Sequence, residues 1–485
     1  MLSDTVRRGQ AAFAARRLIR RAYQRLGWGV ADQAMSSLSN FAVNIYIART
    51  LGAVQYGAFA LAYVTYGFAL NASRGLATAP LLVRFSGTDI PTWRRAITKC
   101  TGTAATVGLT TGAIILAAAV LLSGTVRLAF LALGLVMPAL ALQDSWRYSF
   151  FALGRGGQAL LNDTVWTVAL IPALVLLRAT GHANVFWFIL AWGATAAAAA
   201  AIGPLQARTV PRPSRVWEWV SRHRDLGPRY LVEGTVNTAG SQLRNYGVGF
   251  ILGLAAVGYV QAVSTLMGPF MVIFFGMGLV TLPEAARILR RSPRHLMPFC
   301  LLISGGLTIL ALGWGIVLLV AVPRGLGHLM IGNLWKPTYP LVLPATISVL
   351  GGCCSTGAGT GLHALGAARR SLNAMVIETT LCIVLSLAGT VVDGTVGTMS
   401  GFAAGLWIGA LIYWRQLRAA LRESGDRPAG AVSQPPRSAL RYRPTAESPD
   451  GGDHDRADKQ PKLPAGLHRM QPPGTAIPAA TGRKE

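Results

Sequence analysis

Charge is scarce in this 485-residue chain. Asp, Glu, Lys and Arg make up 13% of it, 52% is hydrophobic, and the mean hydropathy is +0.43. A soluble domain carries about a quarter charged residues, so a water-soluble globular fold is excluded and the class is a polytopic membrane protein. Cysteine is also sparse. Cys100, Cys300, Cys353, Cys354 and Cys382 are odd in number and lie in or at the ends of apolar stretches. They give neither a disulfide framework nor metal-ligand spacing and read as small buried hydrophobes. No HExxH, P-loop lysine motif, CxxC or GxSxG occurs. These absences leave no metal site, no bound cofactor and no ATP-driven step to expect within the chain.

What is present is a series of long apolar runs. Twelve spans are predicted, at 28–49, 54–80, 98–122, 127–150, 158–178, 184–206, 229–252, 255–282, 298–322, 338–365, 371–391 and 394–414. Most reach the roughly 20 residues that a helix needs to cross a hydrocarbon layer of about 30 Å. The 55 glycines suit membrane helices, where they let backbones approach closely.

The net charge of +26 is a matter of topology. On the side shared by the N-terminus, the even-numbered connections and the C-terminus fall 29 Lys and Arg. The other side holds five: Arg49, Arg127, Arg178, Arg324 and Lys336. The positive-inside rule then places both termini in the cytoplasm. It also favours anionic lipid headgroups at the inner surface and removes any need to invoke nucleic acid.

The chain divides into five regions. Residues 1–27 form a basic cytoplasmic segment without the apolar core of a cleavable signal peptide; its stretch 7–26 suits a surface amphipathic helix or a disordered arm. Spans one to six make an N-lobe, 28–206. A basic cytoplasmic linker, 207–228, carries Trp217 and Trp219 as a segment lying at the interface would. Spans seven to twelve make a C-lobe, 229–414. The tail, 415–485, turns rich in Pro, Gly, Ser and mixed charge and is expected to be mostly disordered. Outer loops are short, the longest at about 323–337, which leaves no room for a soluble active site.

The two lobes are one unit written twice. GLATAPLLVR at 75–84 returns as GLVTLPEAAR at 278–287, an offset of 203. At an offset of 201, Asp32, Gly52 and Gly57 match Glu233, Gly253 and Gly258. Ala152-Leu153-Gly154 returns as Ala364-Leu365-Gly366, 212 residues on. Six spans per unit make the repeats parallel. Duplicated helical units in a membrane point to a transporter with its path between the halves.

Polar residues inside the spans carry the candidate chemistry. Asp32, Ser36, Asn40 and Asn44 on span one match Glu233, Asn237, Ser241 and Asn245 on span seven. Steps of four place each set along one helix face. A polar stripe cannot face lipid, so the stripes either bond between helices or face each other across a hydrated cavity. Arg244 lies deep in span seven with no acid within a turn. It is a candidate contact for an anionic substrate, or else it bonds to a carbonyl or a neighbouring acid. Arg74 can snorkel from the inner end of span two, and Arg49 stands at the outer mouth. Asp144 is expected to pair with Arg147 at i+3. Asp32, Asp163, Glu233 and Glu378 are the candidate carriers of a coupling proton or sodium ion. Pro138, Pro172, Pro269 and Pro344 invite kinks. Gly401, Gly405 and Gly409 form a small-residue ridge suited to helix packing.

The segment DQAMSSLSNFAVNIYIARTLGAVQYGAFALA, followed by GLATAPLLVR, resembles the polysaccharide flippases. These are the O-antigen and exopolysaccharide exporters of the multidrug/oligosaccharidyl-lipid/polysaccharide superfamily. The resemblance covers the layout of about 27–415 and is specific in 31–85 and its echo at 232–288. It implies an all-α, V-shaped pair of six-helix lobes working by alternating access. Its cargo would be a polyprenyl-pyrophosphate-linked oligosaccharide, flipped to the outer leaflet of a bacterial plasma membrane for surface polysaccharide biosynthesis, with polysaccharide assembly proteins as possible partners. Cationic residues in the cavity would meet the pyrophosphate. Arg244 holds that place by location, with Asn40, Asn44, Asn237, Ser241, Asn245 and Arg49 as further lining. Lipid II flippases of the superfamily often carry two extra spans that this chain lacks.

Three rival readings remain open. An ion-coupled drug or small-solute antiporter of the same architecture needs an essential membrane acid and a tighter apolar pocket. A membrane glycan polymerase or glycosyltransferase needs catalytic groups on sizeable loops. A degenerate, non-transporting assembly partner would share the layout.

Overall fold

The computed structural model describes residues 35–320 and 326–425. The predicted features at Asp32 and in 1–27 and 426–485, and the side chains of Glu233, Asn237 and Ser241, lie outside the described residues. The described helices all belong to one compact unit that ends at Asp426. Every regular element among the described residues is helical, as an apolar chain in lipid requires when each backbone group must be satisfied within its own segment.

The N-lobe holds α1 (35–50), α2 (Ala53–Ser73), α3 (Ala79–Phe85), α4 (Ile90–Val120), α5 (Gly124–Leu153), α6 (Gly156–Ala179) and α7 (Val185–Ala207). α2 runs into α3 through a π-helical turn, Arg74–Thr78, and the three make one span. The short α8 (Val216–Arg222) lies in the linker. The C-lobe holds α9 (Gly227–Leu252), α10 (Leu254–Leu266), α11 (Gly268–Arg291), α12 (Leu296–Val320), α13 (Leu326–Ile331), α14 (Trp335–Ala364) and α15 (Ala368–Gly425). Non-helical Asp393 and Gly394, the latter at φ 56°, fold α15 into two arms.

Counting α2–α3 and α10–α11 as one span each, and α15 as two, the helices match the twelve predicted spans. Eight are long and apolar enough to cross a membrane, or nine with the bent pair α10–α11. The shortfall has simple causes. The two arms of α15 count once, α1 is described only from residue 35, and α9 bears the polar stripe that lowers its hydropathy. This is a multi-pass membrane protein with a two-lobe exporter fold.

Helix association in lipid depends on close packing, because lipid tails are as apolar as leucine. The ridge on α15 shows this. Gly401 sits against the Leu385 carbonyl, Gly405 against Cys382 and Gly409 against the Glu378 side chain, each without space for a Cβ. Between the lobes, Gly57 and Gly258 pack face to face in the same manner, and beside them Tyr56 Oη lies 3.0 Å from Thr265 Oγ1.

Of the four prolines, only Pro269 marks a break. It opens α11 just after a 54° bend, whereas Pro138, Pro172 and Pro344 sit inside continuous helices. The linker also departs from expectation. Trp217 is 80% exposed, but Trp219 is buried and donates Nε1–H to the Leu76 carbonyl at 3.2 Å. Lys99 pairs with Glu218, Arg84 with Asp225 at 2.7 Å, and Arg212 N–H bonds the Thr98 carbonyl at 3.0 Å. The linker is therefore strapped to the N-lobe through one tryptophan and leaves the other free.

Candidate substrate pathway

The N-lobe gathers most of the charge found inside its spans. Arg74 donates Nε–H and Nη2–H to Asp144 at 2.9 and 2.7 Å, a bidentate pair whose planar fork fixes both partners. Arg147 pairs with Asp163 at 3.2 Å, and Gln143 Nε2–H donates to the same carboxylate at 2.8 Å. Asn162 extends the network to the Ala199 carbonyl at 2.8 Å. Two expectations are corrected here. Arg74 does not simply snorkel, and Asp144 pairs with Arg74 across α2 and α5 in place of its neighbour Arg147. The i+3 spacing allows a local pair, but Arg74 engages Asp144 through two hydrogen bonds and Arg147 turns to Asp163 on α6.

Exposure within these pairs is lopsided. Arg74 is 36% accessible and Asp144 6%, while Arg147 is 16% and Asp163 6%. In each pair the cation is the more accessible partner and the acid is buried.

The π-helical turn is also where the linker and the C-lobe meet the N-lobe. Within it, the Leu76 carbonyl has no α-helical donor, because the residue four positions on is Pro80, which lacks an N–H. Leu76 O accepts from Trp219, and Ala77 O from the Cys100 thiol at 3.3 Å. Gly75 abuts the backbone of Leu231 on α9, and Asn71 Nδ2–H reaches Gly234 O at 3.4 Å. Further along the same seam, Tyr246 of α9 bonds Thr65 of α2.

On α9, Arg244 is buried at 7% accessibility, with its guanidinium 4.2 Å from the Phe402 ring centroid. Its Nε is 3.5 Å from Asn245 Oδ1, at the limit of a hydrogen bond. No carboxylate among the described residues lies within ion-pair distance; of the two partners expected, carbonyl or acid, the near contact is to a carbonyl oxygen, that of the Asn245 amide. Asn245 is buried beside it. On α1, Asn44 is buried and donates to the Asn40 carbonyl at 2.8 Å, leaving its Oδ1 without a partner among the described residues; Asn40 is exposed. Asn40 and Asn44 are not joined to Asn245 by any contact among the described residues. Arg49 is exposed beside Gly332.

Among the ion-coupling candidates, Asp163 is engaged by Arg147 and Gln143. Glu378, half-buried against Gly409, has no cation among the described residues within ion-pair distance. In the linker, hydrogen bonding to Lys99 holds the Glu218 carboxyl below its usual range, and burial lowers the His223 imidazole. His223 Nδ1–H donates to the Trp219 carbonyl at 2.8 Å, as a neutral ring can.

Sequence reasoning missed an aromatic group above the ion pairs. Tyr66 meets Trp192 edge-on at 4.7 Å, Tyr63 lies 5.9 Å from both, and Trp166 stacks on Trp192 at 6.2 Å. Tyr148 lies under the Arg74 guanidinium at 5.2 Å. The available signal was aromatic residues set away from the ends of spans, where an interfacial belt would not place them.

No family model matches the chain, and no curated protein does. Solved structures do. An inward-facing multidrug resistance MATE family transporter of the MOP superfamily aligns at TM-score 0.65 and 14% identity, covering 81% of this chain and 96% of that one. Lipid II flippase MurJ, in an inward closed conformation, aligns at 0.57 and 10%, covering 81% and 90%. A MOP superfamily transporter from Pyrococcus furiosus, described as having a binding pocket of reverse polarity, aligns at 0.54 and 12%, covering 83% and 96%. The chain has the fold of the MOP superfamily transporters.

Proposed function

We propose that this chain flips a polyprenyl-pyrophosphate-linked oligosaccharide from the inner to the outer leaflet of a bacterial plasma membrane, by alternating access, for surface polysaccharide biosynthesis. The observation that carries the reading is the polarity of the ionic groups inside the spans. Arg74 and Arg147 are more accessible than the acids that pair with them, and Arg244 is a buried cation with no described acid beside it. Leaving a guanidinium in a desolvated site is costly, and the face of Phe402 offsets only part of that cost. A pyrophosphate would offset more, since its concentrated charge acts more strongly there than in water. Arg244 is the pyrophosphate contact in this reading, with Asn40, Asn44, Asn237, Ser241 and Asn245 as polar lining. Glu378 carries the coupling proton or sodium ion. The basic end faces the cytoplasm and its anionic lipids, with both termini on that side.

The rival reading, export of a drug or small solute, draws support from the likeness to the multidrug transporter. A cationic drug needs an accessible acid, and the paired acids of the N-lobe are covered. An enzyme that builds glycans has less support, because the solved neighbours are transporters.

The test is surface polysaccharide per folded transporter in cells. Arg244→Ala should abolish export at normal protein level, and Arg244→Lys should keep part of it, since the charge survives without the planar fork. Normal export per molecule in Arg244→Ala would remove this residue from the mechanism.

A further inference from the structure

Two tyrosines on α2 have no structural use for their hydroxyls. Three other phenols in the bundle are engaged. Tyr46 donates to the Leu174 carbonyl at 3.3 Å, Tyr56 bonds Thr265 at 3.0 Å, and Tyr246 bonds Thr65. Tyr63 and Tyr66 make no hydrogen bond with any described residue and are only half-buried, midway along their span. Arg74, on the same span, is 36% accessible. A guanidinium and unpaired hydroxyls within a membrane span cannot face lipid without cost, so their accessible surface faces a hydrated space, where the hydroxyls need water or a ligand.

The shape of this surface indicates the ligand. Tyr63, Tyr66 and Trp166, all half-buried, gather around the buried Trp192 with ring centroids 4.7 to 6.2 Å from it, and the two phenols add unpaired hydroxyls. At the base of this group, the Arg74 guanidinium projects over Tyr148 with Asp144 buried beside it. A sugar ring has apolar C–H faces that pack on aromatic rings and equatorial hydroxyls that bond to phenols and guanidinium. A lipophilic cation would use the rings equally well, but it would meet Arg74 and find no accessible carboxylate in this group.

We infer that the N-lobe group Tyr63, Tyr66, Trp166 and Trp192, with Arg74 at its base, is a subsite for the sugar rings of the cargo, separate from the pyrophosphate contact at Arg244. This rests on the flippase reading and divides the cargo between the lobes, glycan to the N-lobe and pyrophosphate to the C-lobe.

The test uses the full chain in lipid nanodiscs and three probes: bare polyprenyl pyrophosphate, the same lipid bearing a neutral trisaccharide, and tetraphenylphosphonium. The wild type should bind the glycosylated lipid more tightly than the bare one. Tyr66→Ala and Trp166→Ala should lose about two- to tenfold of that preference, the scale of an aromatic contact, with affinity for the bare lipid unchanged. Arg244→Ala should weaken both lipids equally. Tyr66→Phe should keep the melting temperature, because its hydroxyl has no protein partner, and still lose part of the preference; this variant serves if the alanine variants do not fold. Equal binding of the two lipids by the wild type would overturn the subsite, as would a preference that survives in Tyr66→Ala and Tyr66→Phe. Binding of tetraphenylphosphonium with neither lipid bound would instead overturn the flippase reading itself.

Discussion

Gly57 and Gly258, equivalents 201 residues apart in the duplicated sequence, pack against each other between α2 and α10. The repeat thus places its own matching residues at the lobe contact. A Cβ on Gly57 would run into the Leu254 carbonyl, and one on Gly258 would lie 2.5 Å from the Ala53 carbonyl oxygen. Backbone cannot yield as a side-chain tip can. Gly57→Val should therefore destabilise the contact by about 1–3 kcal/mol, the usual cost of overpacking, read as a lower melting temperature in detergent. An unchanged melting temperature would show that the two helices do not meet this closely.

The pairing of Asp144 can be checked by thermodynamic cycles. Asp144→Ala and Arg74→Ala should show a coupling energy of about 0.5–3 kcal/mol, towards the lower end because Arg74 is 36% accessible and so partly screened. Asp144→Ala with Arg147→Ala should couple more weakly than that. A stronger cycle with Arg147 would restore the local pair suggested by the i+3 spacing.

Acid should loosen the linker. Glu218 has its folded pKa lowered, first by the hydrogen bond from Lys99, so its contribution is present above the ordinary carboxylate range and lost as pH falls through the lowered value. His223 has its folded pKa lowered chiefly by burial. Between the ordinary value of about 6.5 and the lowered one, the released linker binds the proton and the docked one does not, so docking weakens as pH falls. The Arg84 and Arg222 charges nearby act in the same direction, and Asp225 opposes them. Hydrogen exchange over 213–226 should therefore quicken below about pH 6.5. His223→Gln should flatten the upper part of that profile. Exchange that slows on acidification would contradict the assignment.

Some of this molecule was legible in its residues, and the limits have physical causes. Helix count, duplication and the α15 glycine seam all follow from period and composition, which act locally. Partners across helices do not. Asp144 pairs with a residue 70 positions away, at the start of a π-helical turn that no spacing in the sequence announces. The two linker tryptophans separated for a similar reason. Trp219 found the Leu76 carbonyl within the same turn, while Trp217, two residues earlier, is left exposed.

Orientation rests on charge counting and has a direct check. Cysteine at Gly325 should react with an impermeant thiol reagent added to intact cells, and cysteine at Ala429 should not. The reverse pattern would invert the assignment of the basic end to the cytoplasm.

Glu378 offers the sharpest separation of structural from functional roles. Its carboxyl rests on Gly409 of the facing arm, and no described cation pairs with it. An acid held for stability would have a partner, and neutralising it would orphan that partner at a cost of several kcal/mol. An acid held for coupling has an intermittent partner, a proton or sodium ion, so neutralising it removes an unpaired charge from the membrane. Glu378→Gln should then keep or raise the melting temperature while transport loses its dependence on the ion gradient, or stops. Flux measured in proteoliposomes with and without proton and sodium gradients reads this directly. A lowered melting temperature with gradient-dependent flux intact per folded molecule would return Glu378 to the scaffold.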